Sequence, residues 1–148
     1  METPFYFPVV IRQLSDQLFQ AHLLDLPETT RQQTSLEAAL TAVKEALIQL
    51  ISQRMRANQS LPIPAPPRGK ERHWVALPLL LAAKAMLYQT MRQQGISKTA
   101  LAKRLDHDEK EIRRLLDPAH PSKIARLEHA LAVLGRQLIV AMPRQPSP

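Results

Sequence analysis

Residues 97–116 read SKTALAKRLDHDEKEIRRLL, and the fold of the whole chain follows from how they are parsed. Ser97 offers a side-chain acceptor for the free amides that open a helix, and Lys98–Leu105 follow with Leu101, Ala102 and Leu105 on one face. Asp106 and His107 interrupt the pattern. Asp108 can cap a second helix, Glu109–Leu116, whose apolar positions are Ile112 and Leu115. The reading is therefore two short helices joined by a tight turn, with the small Ala102 where the two approach closely.

Four polar residues of the second helix, Glu109, Lys110, Arg113 and Arg114, stay off the apolar face, and Lys98, Lys103, Arg104 and Lys123 surround it. A helix presented this way can enter the major groove while flanking cations hold phosphates, so these eight residues are the candidate DNA contacts. A plain helical bundle with solvated charges is the competing reading. Spacing, caps and charge all favour DNA. Helix-turn-helix turns usually place glycine and then an aliphatic residue where this chain has Asp106 and His107. Aspartate tolerates the left-handed conformation, whereas histidine is a poor plug for a core position. Asp108 and Glu109 bring negative charge towards approaching phosphates, although Glu109 could accept from a cytosine amino group.

Working outward, His73–Leu77 reads as a short strand and Pro78 suits the first turn of a helix that runs from Leu79 to a stop at Gly95. Pro118 and Pro121 break the chain. Ser122 can cap a further helix, Lys123–Leu134, ended by Gly135, and Gln137–Met142 reads as a last strand. Residues 1–70 have a net charge of +1 and residues 71–148 one of +6, so nearly all the +7 of the chain lies in this half. A pI near 10.3 with that asymmetry favours a polyanionic partner.

Upstream lies LPIPAPPRG, residues 61–69, with four prolines in nine residues, expected to be an extended spacer. The domain boundaries expected are 1–60 for an N-terminal domain, 61–72 for the linker, 73–142 for the helix-turn-helix domain and 143–148 for a tail. Phe5–Leu14 is rich in aromatic and β-branched residues, Ser15-Asp16-Gln17 is a turn, and Leu18–Leu24 resumes as a strand closed by Asp25-Leu26-Pro27. A short third strand is expected around Thr29–Gln32. Thr34-Ser35-Leu36-Glu37 has the form of a capping box with Thr34 as the cap, and a long helix follows with Leu36, Leu40, Val43, Leu47, Leu50, Ile51 and Met55 as its stripe. The fold class is α+β: a small β-β-β-α domain, then an all-α domain with flanking short strands.

Composition excludes several functions. The 148 residues include no cysteine, which removes disulfides, thiol catalysis and cysteine zinc sites. The 3 glycines form no phosphate-cradling loop. No apolar run approaches the length of a membrane span, and the first residues lack the pattern of a signal peptide, so a soluble cytoplasmic protein is expected. The acids of the N-terminal half (Glu2, Asp16, Asp25, Glu28, Glu37, Glu45) and its one histidine, His22, show no catalytic or metal-binding spacing. His73, His120 and His129 likewise lack ligand spacing, and Trp74 and Tyr88 read as core or interface residues. No enzyme activity, metal or cofactor is expected.

The residues Phe7-Pro8-Val9-Val10-Ile11, Asp25-Leu26-Pro27-Glu28, Leu36-Glu37-Ala38-Ala39, Lys44-Glu45-Ala46-Leu47 and Leu61-Pro62-Ile63-Pro64, in that order, resemble the HicB antitoxin family. The half from Val75 through Leu101-Ala102 and Glu111-Ile112 to Gly135 is similar to the helix-turn-helix branch of that family. The resemblance implies a reduced ribonuclease-H-like N-terminal domain that binds and covers a HicA-like mRNA-cleaving toxin. It further implies a C-terminal domain that represses the operon, with strands 73–77 and 137–142 contributing to a homodimer or higher even-numbered oligomer on operator DNA. The chain departs from the family in lacking hairpin glycines, with Gln17, Leu18 and Gln33 in those places, and in a nearly neutral N-terminal half. A stand-alone helix-turn-helix regulator, whose N-terminal domain oligomerises or senses a ligand, is the alternative.

Overall fold

The computed structural model describes residues 4–144. In chain order the elements are β1 (Tyr6–Ser15), β2 (Leu18–Leu23), β3 (Leu26–Gln33), α1 (Leu36–Arg56), β4 (His73–Ala76), α2 (Leu79–Gln94), α3 (Lys98–Leu105), α4 (Glu109–Leu116) and α5 (Ile124–Val133). The class is α+β, as the sequence indicates. Two compact units emerge. One contains residues up to Leu50 with Pro62–Leu77 and the stretch from Ala141, and the other contains Ile51–Leu61 with Pro78–Val140.

The first unit is an antiparallel sheet in the order β3-β2-β1-β4. Asp16 and Gln17 form the β1–β2 turn without adopting a positive φ, and the register shifts between Gln13 and Ser15. An ordinary two-residue turn splays twisted strands, and the bulge takes up the mismatch that glycines would otherwise remove. The second turn differs from the sequence reading. It falls at Leu24-Asp25, with Asp25 left-handed at φ 64°, so Leu26 and Pro27 begin β3 rather than end β2. Pro27 is tolerated because β3 is an edge strand and its register breaks there. The buried Thr29 hydroxyl bridges that break, accepting from the Leu23 amide at 2.8 Å and donating to the Leu26 carbonyl at 2.6 Å. Phe7, Val9, Ala21, Leu23, Ala39, Val43 and Leu47 are all buried, the alternation of the strands and the stripe of the helix.

Strand β4 forms at the expected place, and its partner is β1, with Phe7 opposite Val75 and Pro8 opposite Trp74. Tyr6 and Trp74 stack across this pair with ring centroids 6.3 Å apart. Before it, residues 59–72 contain no helix or strand, yet the end of the segment is tethered. The Glu71 carboxylate accepts the Arg68 and Gly69 amides at 2.9 and 3.0 Å, and Arg68 pairs with Asp25 at 2.9 Å. The α1 cap also differs: Ser35, not Thr34, accepts from the Ala38 amide, at 3.1 Å.

The second unit packs α2–α5 around Leu87, Leu101, Ile112, Leu127 and Leu131, each almost completely buried. Gly95 is left-handed and ends α2, as its position predicts. The expected last strand, Gln137–Met142, does not form. Ile139, Val140 and Met142 are exposed, and these residues pair with none of the described strands. The expected tail begins within the described residues, but 145–148 lie outside them. No described helix is long and apolar enough to cross a membrane.

Candidate nucleic-acid interface

Ser97 caps α3 as its sequence position requires, accepting from the Ala100 amide at 3.1 Å. The turn to α4 is made by Asp106 at φ 54°, ψ 46°, a left-handed cap. The Asp106 and His107 amides bond back to the carbonyls of Lys103 and Ala102, so the last turn of α3 is satisfied. His107 is exposed, so the position where an aliphatic plug was wanted makes no demand on the core. Ala102 is 5% exposed inside the shared core, which is why a small residue belongs there. Asp108 holds the N-cap position of α4 through its extended backbone, but its side chain makes no cap hydrogen bond. The acids Glu109 and Glu111 occupy the first turn instead, and Arg113 and Arg114 the last, which suits the helix dipole at both ends.

Burying Ile112 and Leu115 turns Lys110, Arg113 and Arg114 outward. Lys98, Lys103, Arg104 and Lys123 are exposed as well. Glu109 is half-buried and engaged, accepting from Arg113 at 2.9 Å and from Thr99 at 3.2 Å. It thereby ties α4 to α3. Among the described residues, the charged groups of Lys103, Arg104 and Lys110 have no ion-pair partner.

Three of these positions line two different cavities. Arg114 and Lys123 line a common cavity, with Glu111, His120 and Arg126 beside them, whereas Lys98 lines another with Asn58 and Arg92. Arg126 was missed by the sequence reading. It pairs with Glu111 at 3.2 Å while Arg114 takes the other oxygen at 2.7 Å. Its only sequence signal is a spacing of three from Lys123, which is weak by itself. The α5 cap is corrected too. The helix starts at Ile124 with Lys123 at the N-cap, and Ser122 is otherwise engaged.

Ser122 accepts from Lys84, a fully buried lysine of α2 that the sequence reading passed over. The Lys84 ammonium donates to the Arg114 carbonyl at 2.9 Å, the Leu115 carbonyl at 3.1 Å and Ser122 Oγ at 2.8 Å. Three acceptors thus take its three protons, and two of them are carbonyls in the last turn of α4, that of Arg114 being shared with the Asp117 amide. Burial pushes the Lys84 pKa below the usual lysine range, with the charge of Asp117 acting in the opposite direction. Among the described residues no group of three histidines, aspartates or glutamates is placed to hold a metal.

Residues 6–86 match the family model described as the HicB-like antitoxin of bacterial toxin–antitoxin systems. Over 136 residues the chain is 28% identical to Antitoxin HicB of Escherichia coli strain K12, covering 92% of this chain and 98% of that protein. It is 31% identical over 118 residues to Antitoxin HicB of Pseudomonas fluorescens strain Pf0-1, covering 80% and 81% of the two. Antitoxin HicB 2 of Photorhabdus laumondii is also 31% identical, over 114 residues. The match over more than half the chain, continued through the helical unit by these relatives, shows that the chain belongs to the HicB-like antitoxin family.

Proposed function

We propose that the protein is the antitoxin of a toxin–antitoxin pair that captures a HicA-like mRNA-cleaving toxin through its N-terminal sheet domain and represses its own operon through a helix-turn-helix formed by α3 and α4. The observation that carries the DNA half is the exposed basic face of α4. Ile112 and Leu115 fix it to the core while Lys110, Arg113 and Arg114 face solvent. Lys98, Lys103, Arg104 and Lys123 are assigned to phosphates around it. Glu109 is reassigned from base reading to holding Arg113 and Thr99, from each of which it accepts a hydrogen bond.

The toxin half rests on family membership and on the sheet-plus-helix unit. The division of labour is assigned to the sheet unit and the helical unit, and an even-numbered oligomer would present two copies of α4 to a palindromic operator in the cytoplasm. A stand-alone regulator is the second reading, favoured by the net charge of only +1 over residues 1–70. A masking inhibitor of an RNA-binding enzyme would ordinarily be acidic.

Fluorescence anisotropy on a duplex carrying the region upstream of the gene tests the DNA half. The double change Arg113→Ala and Arg114→Ala should weaken binding about 10-fold or more. Unchanged affinity would remove α4 as the reading helix.

A further inference from the structure

The cavity between the end of α4 and the start of α5 has a volume of about 460 Å3 and is lined by His107, Glu111, Arg114, His120, Lys123 and Arg126 among others. Three cationic side chains, Arg114, Lys123 and Arg126, line it against a single carboxylate. Glu111 spans the two guanidiniums, with Arg114 on one oxygen and Arg126 on the other, so both arginines are held facing the same space by a group that is itself anionic. Lys123 has no ion-pair partner among the described residues. His120 is fixed by Ser122, which approaches its Nδ1 to 2.9 Å. The floor of the cavity is equally fixed, because Ser122 and the carbonyls of Arg114 and Leu115 are all bonded to the buried Lys84.

A neutral ligand gains little from three converging cations, and a metal ion would be repelled by them. An oxyanion with several acceptor oxygens matches both the charge and the forked donors of the arginines. The location then selects the source of the anion. The cavity adjoins the end of the helix whose open face is assigned above to the major groove, where the phosphate backbone passes.

We propose that this cavity is a phosphate clamp, in which Arg126 and Lys123, with Arg114, hold one backbone phosphodiester of the bound DNA and Glu111 keeps the two guanidiniums in place until the phosphate arrives. The proposal rests on the DNA-binding reading and adds to it a residue, Arg126, and a contact that carries affinity rather than sequence choice.

The test uses the full-length protein with two duplexes, the upstream region of its own gene and a scrambled duplex of equal length, titrated at several salt concentrations. Arg126→Gln should weaken binding to both duplexes by the same factor, about 3-fold to 10-fold, and make the dependence of log affinity on log salt shallower by about one unit. Arg126→Lys should restore most of that slope. Glu111→Gln, which frees both guanidiniums from their carboxylate, should tighten binding to the scrambled duplex. If Arg126→Gln leaves both affinities and the slope unchanged while the unaltered protein binds, the clamp is overturned and the DNA reading stands. A change in the ratio of the two affinities with no change in slope overturns it too, because Arg126 would then act only through Arg114. If the unaltered protein binds neither duplex, the DNA reading fails and the clamp fails with it. Arg126 is largely exposed, and circular dichroism of each variant verifies that it remains folded.

Discussion

The ammonium of Lys84 on α2 donates to the carbonyl of Arg114 on α4 across 2.9 Å, and the side chain of that same Arg114 is exposed and pairs with Glu111 at 2.7 Å. One residue thus joins the interior of the helical unit to its basic surface. The last carbonyls of a short helix ordinarily point to water or a glycine cap, whereas here they end on a buried cation. The position of α4, and with it the aim of Arg113 and Arg114, is set from underneath.

Lys84→Met keeps the length and apolar character of the stem and deletes the ammonium. The Leu115 carbonyl loses its charged donor inside the core. The variant should be about 1–3 kcal/mol less stable by chemical denaturation. Amide exchange should rise most at Asp117 and His120, in the turn after α4 where the bonds to the Arg114 and Asp117 carbonyls close the helix. A stability change within about 0.5 kcal/mol would show that the buried ammonium contributes nothing net, its desolvation cancelling its bonds.

Asp106 stands in the left-handed region at φ 54°, where glycine carries no steric penalty. It also places a negative charge at the C-terminal end of α3, against the helix dipole. Asp106→Gly should therefore raise stability by up to about 1 kcal/mol, while the β-branched Asp106→Val should lower it by about 1–2 kcal/mol. Thermal unfolding of the pair reads both signs. Equal melting temperatures would mean that the turn relaxes out of the left-handed region without cost.

Glu71 gives a pH dependence of definite sign. Its carboxyl is held below the usual glutamate range chiefly by its own backbone amide, helped by those of Arg68, Gly69 and Lys70 and opposed by desolvation. Because its pKa is lower folded than unfolded, its contribution is complete above the ordinary glutamate range and is lost as pH falls through the depressed folded value. The gap in melting temperature between the wild-type protein and Glu71→Gln should be widest near neutral pH and close under acid conditions. A gap that stays constant with pH would assign the effect to packing alone.

The legibility of the sequence varied with the range of the interaction. Ser97, Gly95 and the 97–116 pattern were readable because caps and apolar spacing act within a few residues. Asp25-Leu26-Pro27 misled because a proline marks a boundary without saying on which side of it the strand lies. The Thr29 hydroxyl that makes an edge strand of it acts across a register break. Gln137–Met142 has the composition of a strand but pairs with none of the described strands, and composition alone does not make a ladder. Lys84 was invisible for a different reason. A lysine on a helix reads as solvated until its three acceptors, 30 to 38 residues away, are brought to it. Arg126 was hidden likewise, since only folding places it on Glu111.

The most direct test of the central claim is co-expression with the short open reading frame beside the gene, scoring host growth and co-purification. The account predicts that the neighbour alone arrests growth, that this protein restores it, and that the two are recovered as one complex which the N-terminal sheet unit is required to form. Growth that stays arrested while this protein is soluble, or a neighbour that is harmless alone, would contradict neutralisation and leave the stand-alone regulator as the reading to test.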